Sequence, residues 1–212
     1  MNKFQHFTQQ LKQRLMMPLP GRDAQEPMVP PTREKAFQEN KIPEKAKLSA
    51  VLILFYPVND EIRFVLIERA IYNGVHSGQI AFPGGQYVSS DKDLQTTALR
   101  EAQEEINIDP EKVTIAGQLT PVYIPPSHFD VYPFVGYCNN RPPLQADQTE
   151  TKEVLEIRLD DLMNPENQTQ RTIWHRTGKP VLVPCFLLNN KIVWGATAMI
   201  LSELYALLKE RE

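Results

Sequence analysis

The chain has 212 residues and a formal net charge of -3, with 23 Lys and Arg against 26 Asp and Glu. Hydrophobic residues make up 42%, enough for a sizeable core, so global disorder is excluded and one domain with appendages is expected rather than two full domains. The acidic balance argues against broad nucleic-acid binding, which needs a strongly basic face, but leaves room for a small basic pocket.

From the N-terminus, Phe4, Phe7, Leu11 and Leu15 fall at helical spacing, which predicts a short amphipathic helix packed on the body or on a partner. This opening is too polar to read as a signal peptide, and the apolar runs are too short to cross a bilayer. A cytoplasmic protein without membrane contact is the expectation. Pro18, Pro20, Pro27, Pro30 and Pro31 then interrupt regular structure. With the charged segment ending at Lys47 they make residues 1–47 an N-terminal helix and Pro-rich leader, outside a main domain spanning 48–212.

At Leu48 the character changes. SAVLILFYPV and IRFVLIERA are β-branched apolar runs on either side of Asn59-Asp60 and predict a hairpin. The segment carrying Gly74 and Gly78 should loop across to Gly84-Gly85, where missing Cβ atoms let backbone approach a ligand closely. From about Asp93 to Asn107 the pattern is helical, with Ser89, Ser90, Asp91 and Asp93 as candidate N-caps and Asp109-Pro110 as the stop. Leu94, Ala98, Leu99, Ala102 and Ile106 form its apolar stripe, while Glu101, Glu104 and Glu105 share a neighbouring face.

KVTIAGQLTPVYI and FDVYPFVGYC predict two strands joined by Pro125-Pro126-Ser127-His128, and TKEVLEIRL another that ends in a helical turn at Asp160-Asp161-Leu162. TIWHRT, VLVPCFLL and KIVW are strand-like, the last two separated by Asn189-Asn190. From Gly195 onward, Ala198, Ile200, Leu201, Leu204 and Leu207 predict a closing helix. Several strands with a central and a terminal helix imply an α/β fold, a mixed sheet between helices. Cys138 and Cys185 match no zinc spacing and are expected as buried free thiols.

Carboxylates as close as Glu101, Glu104 and Glu105 repel one another, and a hard divalent cation turns that repulsion into a binding site. By itself the acidic face suits plain solvation better than a metal site. With the glycine pair ahead of it and Arg100 beside it, the stretch resembles the Nudix box, Gly-x5-Glu-x7-Arg-Glu-U-x-Glu-Glu-x-Gly-U, where U is bulky and aliphatic. Asp91 stands for the first glutamate, one extra residue precedes Arg100, Ala102 is small for its position, and Asn107 replaces the last glycine. Within that family, Val65-Leu66-Ile67-Glu68-Arg69-Ala70, Gly78 and Phe82-Pro83-Gly84-Gly85 resemble, in register, the signature of the coenzyme A (CoA) pyrophosphatase group. Ile67 and Gly74 depart from it, standing where the group has a threonine and a second arginine. PVYIPPSHFDVYPFVGY and IVWGATAMIL resemble further segments of the group.

The resemblance implies an α/β/α sandwich and a small-molecule diphosphate substrate, CoA or its thioesters, split into (acyl-)4′-phosphopantetheine and adenosine 3′,5′-bisphosphate. It implies Mg2+ or Mn2+ held by Glu101, Glu104 and Glu105, with the carbonyl of Gly85 helping, and makes a homodimer reasonable. Arg100 would orient the carboxylates; Arg69, Gly84 and Gly85 would contact substrate, although Arg69 also suits an ion pair within the sheet. Glu150, Glu153 and Glu101 are the candidate proton acceptors. His76 and His128 stay outside the catalytic set, and Tyr123 and Phe129 suit either stacking on a base or the core. Gly74 keeps ADP-ribose or a dinucleotide open as the substrate. A third reading, a Nudix-fold module that binds a nucleotide without cutting it, has no need of the glutamate triad.

Overall fold

The computed structural model describes residues 1–71, 76–174 and 178–209, so Gly74 and the His175-Arg176-Thr177 end of one strand-like run lie outside it. Helix α1 (Lys3–Leu15) begins at a capping box: the Asn2 side chain accepts from the Gln5 amide, and the Gln5 side chain accepts from the Asn2 amide. Its Phe4 and Leu11 are buried and Phe7 meets Phe55 edge-on, so of the two expected surfaces it is the body that α1 covers. Helices α2 (Gly21–Gln25) and α3 (Glu34–Glu39), with short 3-10 turns between them, complete the leader.

The hairpin forms as expected: β1 (Lys47–Val58) pairs antiparallel with β2 (Glu61–Arg69) through a turn that puts Asn59 at φ 54. The short strands β3 (Ile80–Ala81) and β4 (Gly84–Gln86) lead into α4 (Leu94–Ile106). Asp93 caps this helix by accepting from the Thr96 amide, and Asn107 ends it in a left-handed conformation, φ 58, before Asp109-Pro110 is reached. The expected strand KVTIAGQLTPVYI is two, β5 (Thr114–Gln118) and β6 (Val122–Ile124), which pair separately with β7 (Phe129–Tyr137). Next come β8 (Thr151–Arg158), the turn-like α5 (Leu159–Met163), β9 (Gln168–Trp174), β10 (Pro180–Leu188), β11 (Lys191–Trp194) and α6 (Ala196–Lys209).

The main sheet is mixed, because β1 and β7 run parallel while their other neighbours are antiparallel. β9, β10 and β11 form a separate three-stranded sheet, which the strand pattern alone did not distinguish from the first. Alternation along β1 divides the core. Ala50, Leu52, Leu54 and Tyr56 face Ala98, Ala102 and Ile106 of α4. Ile53 and Phe55 face the opposite layer, built from α6, α1 and the leader residues Met28 and Val29. The result is an α/β/α sandwich with α4 on one face.

A buried carboxylate ties the leader to that second layer. Glu203 of α6 is fully buried and accepts from the Gly21 amide at 3.2 Å, Gln25 Nε2 at 2.8 Å, the Thr120 amide at 3.2 Å and Thr120 Oγ1 at 2.6 Å. Four donors compensate its desolvation, so removing it orphans buried amides on two segments. Glu203→Ala is expected to cost about 3 kcal/mol in urea unfolding and to open the leader to limited proteolysis. Unchanged stability and cleavage would contradict this role.

Candidate active site

Packing of α4 on β1 brings its glutamates under the glycine pair. Gly84, at φ +152, lies so close to β1 that a Cβ would fall 2.3 Å from the Ala50 carbonyl oxygen, and one on Gly85 would fall 2.3 Å from Glu101 Oε2. A side chain is therefore excluded at Gly84 by the β1 backbone, while at Gly85 it would displace the Glu101 carboxylate. The Gly84 amide donates to Glu105 Oε2 at 2.8 Å, and Arg69 Nη1 pairs with Glu105 Oε1 at 3.1 Å. The acidic partner of Arg69 is thus on helix α4, not within the sheet as expected.

Glu105 is 1% exposed. Burial pushes its carboxyl up from the ordinary 4.5 to about 7; the Gly84 amide and Arg69 oppose the rise, while Glu101 and Glu150 add to it. Burial also raises Glu101, against the pull of Arg100 and with the help of the Glu104 and Glu150 charges. Glu104 is more exposed and joins the group through Arg100.

Arg100 holds the unit together. Its Nε and Nη2 form a fork on Asp91 at 2.9 and 3.0 Å, Nη2 reaches the Gln86 carbonyl at 3.3 Å, and Nη1 lies 2.9 Å from carboxylate oxygens of both Glu101 and Glu104. Asp91 also accepts from Thr97 Oγ1 at 2.9 Å and the Val88 amide at 3.2 Å. The arginine, then burial in opposition, and then these donors hold its carboxyl down at about 2. The sequence reading placed Asp91 in the box's first glutamate slot and among the candidate caps but gave it no role; its contact with Arg100 depends on the fold.

The segment after β7 closes the far end of α4. The Gln145 amide donates to the Ile106 carbonyl and the Asp147 amide to the Glu105 carbonyl, satisfying acceptors that a helix end leaves open. The next turn puts Glu150 beside Ala70, whose amide it binds through its carbonyl, within electrostatic reach of Glu101 and Glu105. Glu153 is not brought into the group. Its carboxylate pairs with Lys191 at 3.0 Å, in a separate network where Lys191 and Lys152 also grip Glu68. His76 contacts Gln79, His128 contacts the Tyr123 hydroxyl, and Phe129 lies under the Lys47 ammonium.

A family model described as "NUDIX domain" matches residues 46–177, and the chain belongs to the Nudix family. It is a Nudix hydrolase. The protein named "Uncharacterized Nudix hydrolase NudL" from Salmonella paratyphi B is 38% identical over 140 residues, 66% of this chain and 72% of the relative. Among solved structures, a MutT/nudix family protein from Enterococcus faecalis is similar at TM-score 0.49 and 18% identity, covering 88% of this chain and 73% of that one. The NUDIX domain of Shewanella oneidensis NrtR, solved with ADP ribose, is similar at TM-score 0.45 and 18% identity, over 61% of this chain and 86% of that one.

Enzymes of this family use divalent metal ions, and the donors here fit one. Glu101 and Glu105 are oxygen donors crowded by like charge, Glu105 by Glu101 and Glu150 and Glu101 by Glu104 and Glu150, a conflict that a hard cation relieves. Among the described residues no three acidic, histidine or cysteine side chains are grouped so as to hold a metal ion; Arg100, Arg69 and the Gly84 amide instead engage the carboxylate oxygens.

The depressed pKa of Asp91 sets a stability window. Its contribution is complete above the ordinary carboxyl value near 3.8 and is lost as the pH falls through about 2. Asp91→Asn is expected to cost about 3 kcal/mol at neutral pH, since Arg100 loses a buried counter-charge, and to flatten the stability profile between pH 4 and 2. Wild-type stability at pH 7 in the variant would contradict the pairing.

Proposed function

We propose that the protein hydrolyses the diphosphate of CoA or its thioesters, giving (acyl-)4′-phosphopantetheine and adenosine 3′,5′-bisphosphate. The observation that carries this reading is the placing of half-buried Glu101 and buried Glu105 against Gly84-Gly85, directly after a segment with the CoA-group signature. Glu101, Glu104, Glu105 and the Gly85 carbonyl would hold Mg2+ or Mn2+, which would supply charge neutralisation at the phosphate oxygens and acidify a water.

The chain's own groups do the rest. Arg100 keeps Glu101 and Glu104 on the side of the helix that faces the glycine strand, and Asp91 keeps Arg100 from turning away. Arg69 neutralises Glu105 and brings a cation beside the diphosphate. Glu150 takes the proton of the attacking water: of the three candidates it is free of the Arg100 fork that holds Glu101 and of the Lys191 pair that holds Glu153. A cytoplasmic setting agrees with Cys138 and Cys185, both free and buried. No helix among the described residues is long and apolar enough to cross a membrane. Resemblance to the CoA group supports a homodimer.

Incubation with CoA and Mg2+, with products identified by mass, is expected to yield both halves of the cut diphosphate. Glu105→Gln should lower turnover by roughly a thousandfold, the scale on which removing a charge-stabilising group acts, while the circular dichroism spectrum is retained. Intact CoA alongside rapid cleavage of ADP-ribose or a dinucleotide would overturn the substrate, and no cleavage of any diphosphate would leave a nucleotide-binding module.

A further inference from the structure

The leader does more than cover the core, because it builds one wall of a cavity of about 220 Å³ against β6 and β7. Arg22, Arg33 and Lys41 reach this cavity from the leader, and Asp130 and Tyr132 reach it from β7. Among the described residues none of the three cations makes an ion pair. Arg22 stacks 4.1 Å over the Phe37 ring and donates to the Phe37 carbonyl, and Arg33 donates to the Tyr123 carbonyl at 2.5 Å. Neutral carbonyls fix the direction of both guanidinium groups and leave their charges uncompensated. Burial lowers the Arg33 pKa to about 10, the mark of a cation without a counter-charge.

Asp130 adds a second feature. It is 5% exposed, and its Oδ1 has no hydrogen-bond partner, so the cavity wall holds a buried acceptor in want of a donor. Concentrated positive charge, aromatic rings and one orphan acceptor match a phosphorylated nucleoside, whose base carries N–H donors.

The sheet register relates the β7 wall of the cavity to the glycine strand. Tyr132 sits opposite Ala50 on β1, and Ala50 sits opposite Gly85 on β4. Two strand spacings of about 4.8 Å therefore separate the backbone of Tyr132 from that of the glycine beside Glu101, about the length of a nucleoside 5′-phosphate.

We propose that this cavity is a phosphomonoester subsite, built by the leader, that holds the phosphorylated nucleoside end of the substrate cleaved beside Glu101 and Glu105. It deepens the reading of the protein as a CoA diphosphatase and rests on that reading for the identity of the nucleoside. Arg22 and Lys41 take the phosphate, Arg33 adds its field, and Asp130 Oδ1 accepts from the base. The leader, most of which precedes the family-matched residues 46–177, thereby selects among diphosphates that the common domain alone treats alike.

Calorimetric titration of the full-length protein with adenosine 3′,5′-bisphosphate, adenosine 5′-monophosphate and inorganic phosphate tests this. Arg22→Gln and Lys41→Gln are each expected to weaken the bisphosphate about tenfold, the loss of one charge-assisted contact, and to leave the monophosphate nearly unmoved. Lys41 is exposed, so its variant keeps the fold. Bisphosphate affinity equal in wild type and both variants overturns the subsite, as does inorganic phosphate binding as tightly as the bisphosphate. The same protein is assayed on CoA. Lys41-dependent bisphosphate binding without CoA cleavage upholds the subsite against the activity reading, and cleavage with unmoved bisphosphate affinity does the reverse.

Discussion

Arg100 joins the two halves of the loop-helix unit: one edge of its guanidinium grips Asp91 in the loop, and the other holds Glu101 and Glu104 on the helix. Like charges on one helix face push apart, and an arginine on the same helix is the cheapest device for keeping them aligned. Because Asp91 is 5% exposed and fastened by Thr97 and the Val88 amide, the fork has a rigid partner. The extra residue between Asp91 and Arg100, and the aspartate in place of glutamate, are absorbed without loosening that contact.

The glycine strand completes the arrangement from the other side. β4 adds to β1 at Ala50 and Val51, which fill the space a Gly84 side chain would need, while Glu101 lies against Gly85 and Glu105 accepts from the Gly84 amide. Two acidic groups are thus held in a place that water reaches poorly, at a cost to folding. Such a cost persists where function requires it, and here the groups under strain are those a hard cation would relieve. The second layer offsets it elsewhere, through Glu203 and the apolar residues of α1 and the leader.

Local signals in the sequence carried most of the elements. Asp93 and Asn107 frame α4 because capping is a short-range matter of side-chain reach and left-handed backbone. Asn59 and the Asn189-Asn190 pair mark their hairpins for the same reason, with positive φ at each. What was hidden depends on contacts between distant residues. Glu203 looks like any helix glutamate until Gly21, Gln25 and Thr120 fold around it, and nothing in Thr172-Ile173-Trp174 or VLVPCFLL reveals that they leave the main sheet. Glu153, adjacent in register to Glu68, is drawn to Lys191, a partner 38 residues away. The leader reads as linker because prolines suppress its regular structure, although Met28 and Val29 are buried.

A crystal soaked in manganese, with anomalous scattering recorded at the metal edge, tests the central claim most directly. The account predicts an anomalous peak bounded by Glu101, Glu104 and Glu105 beside Gly85, and its loss in Glu105→Gln. Those carboxylates remaining on Arg100 and Arg69 with no peak between them, in the presence of a bound diphosphate, would contradict it.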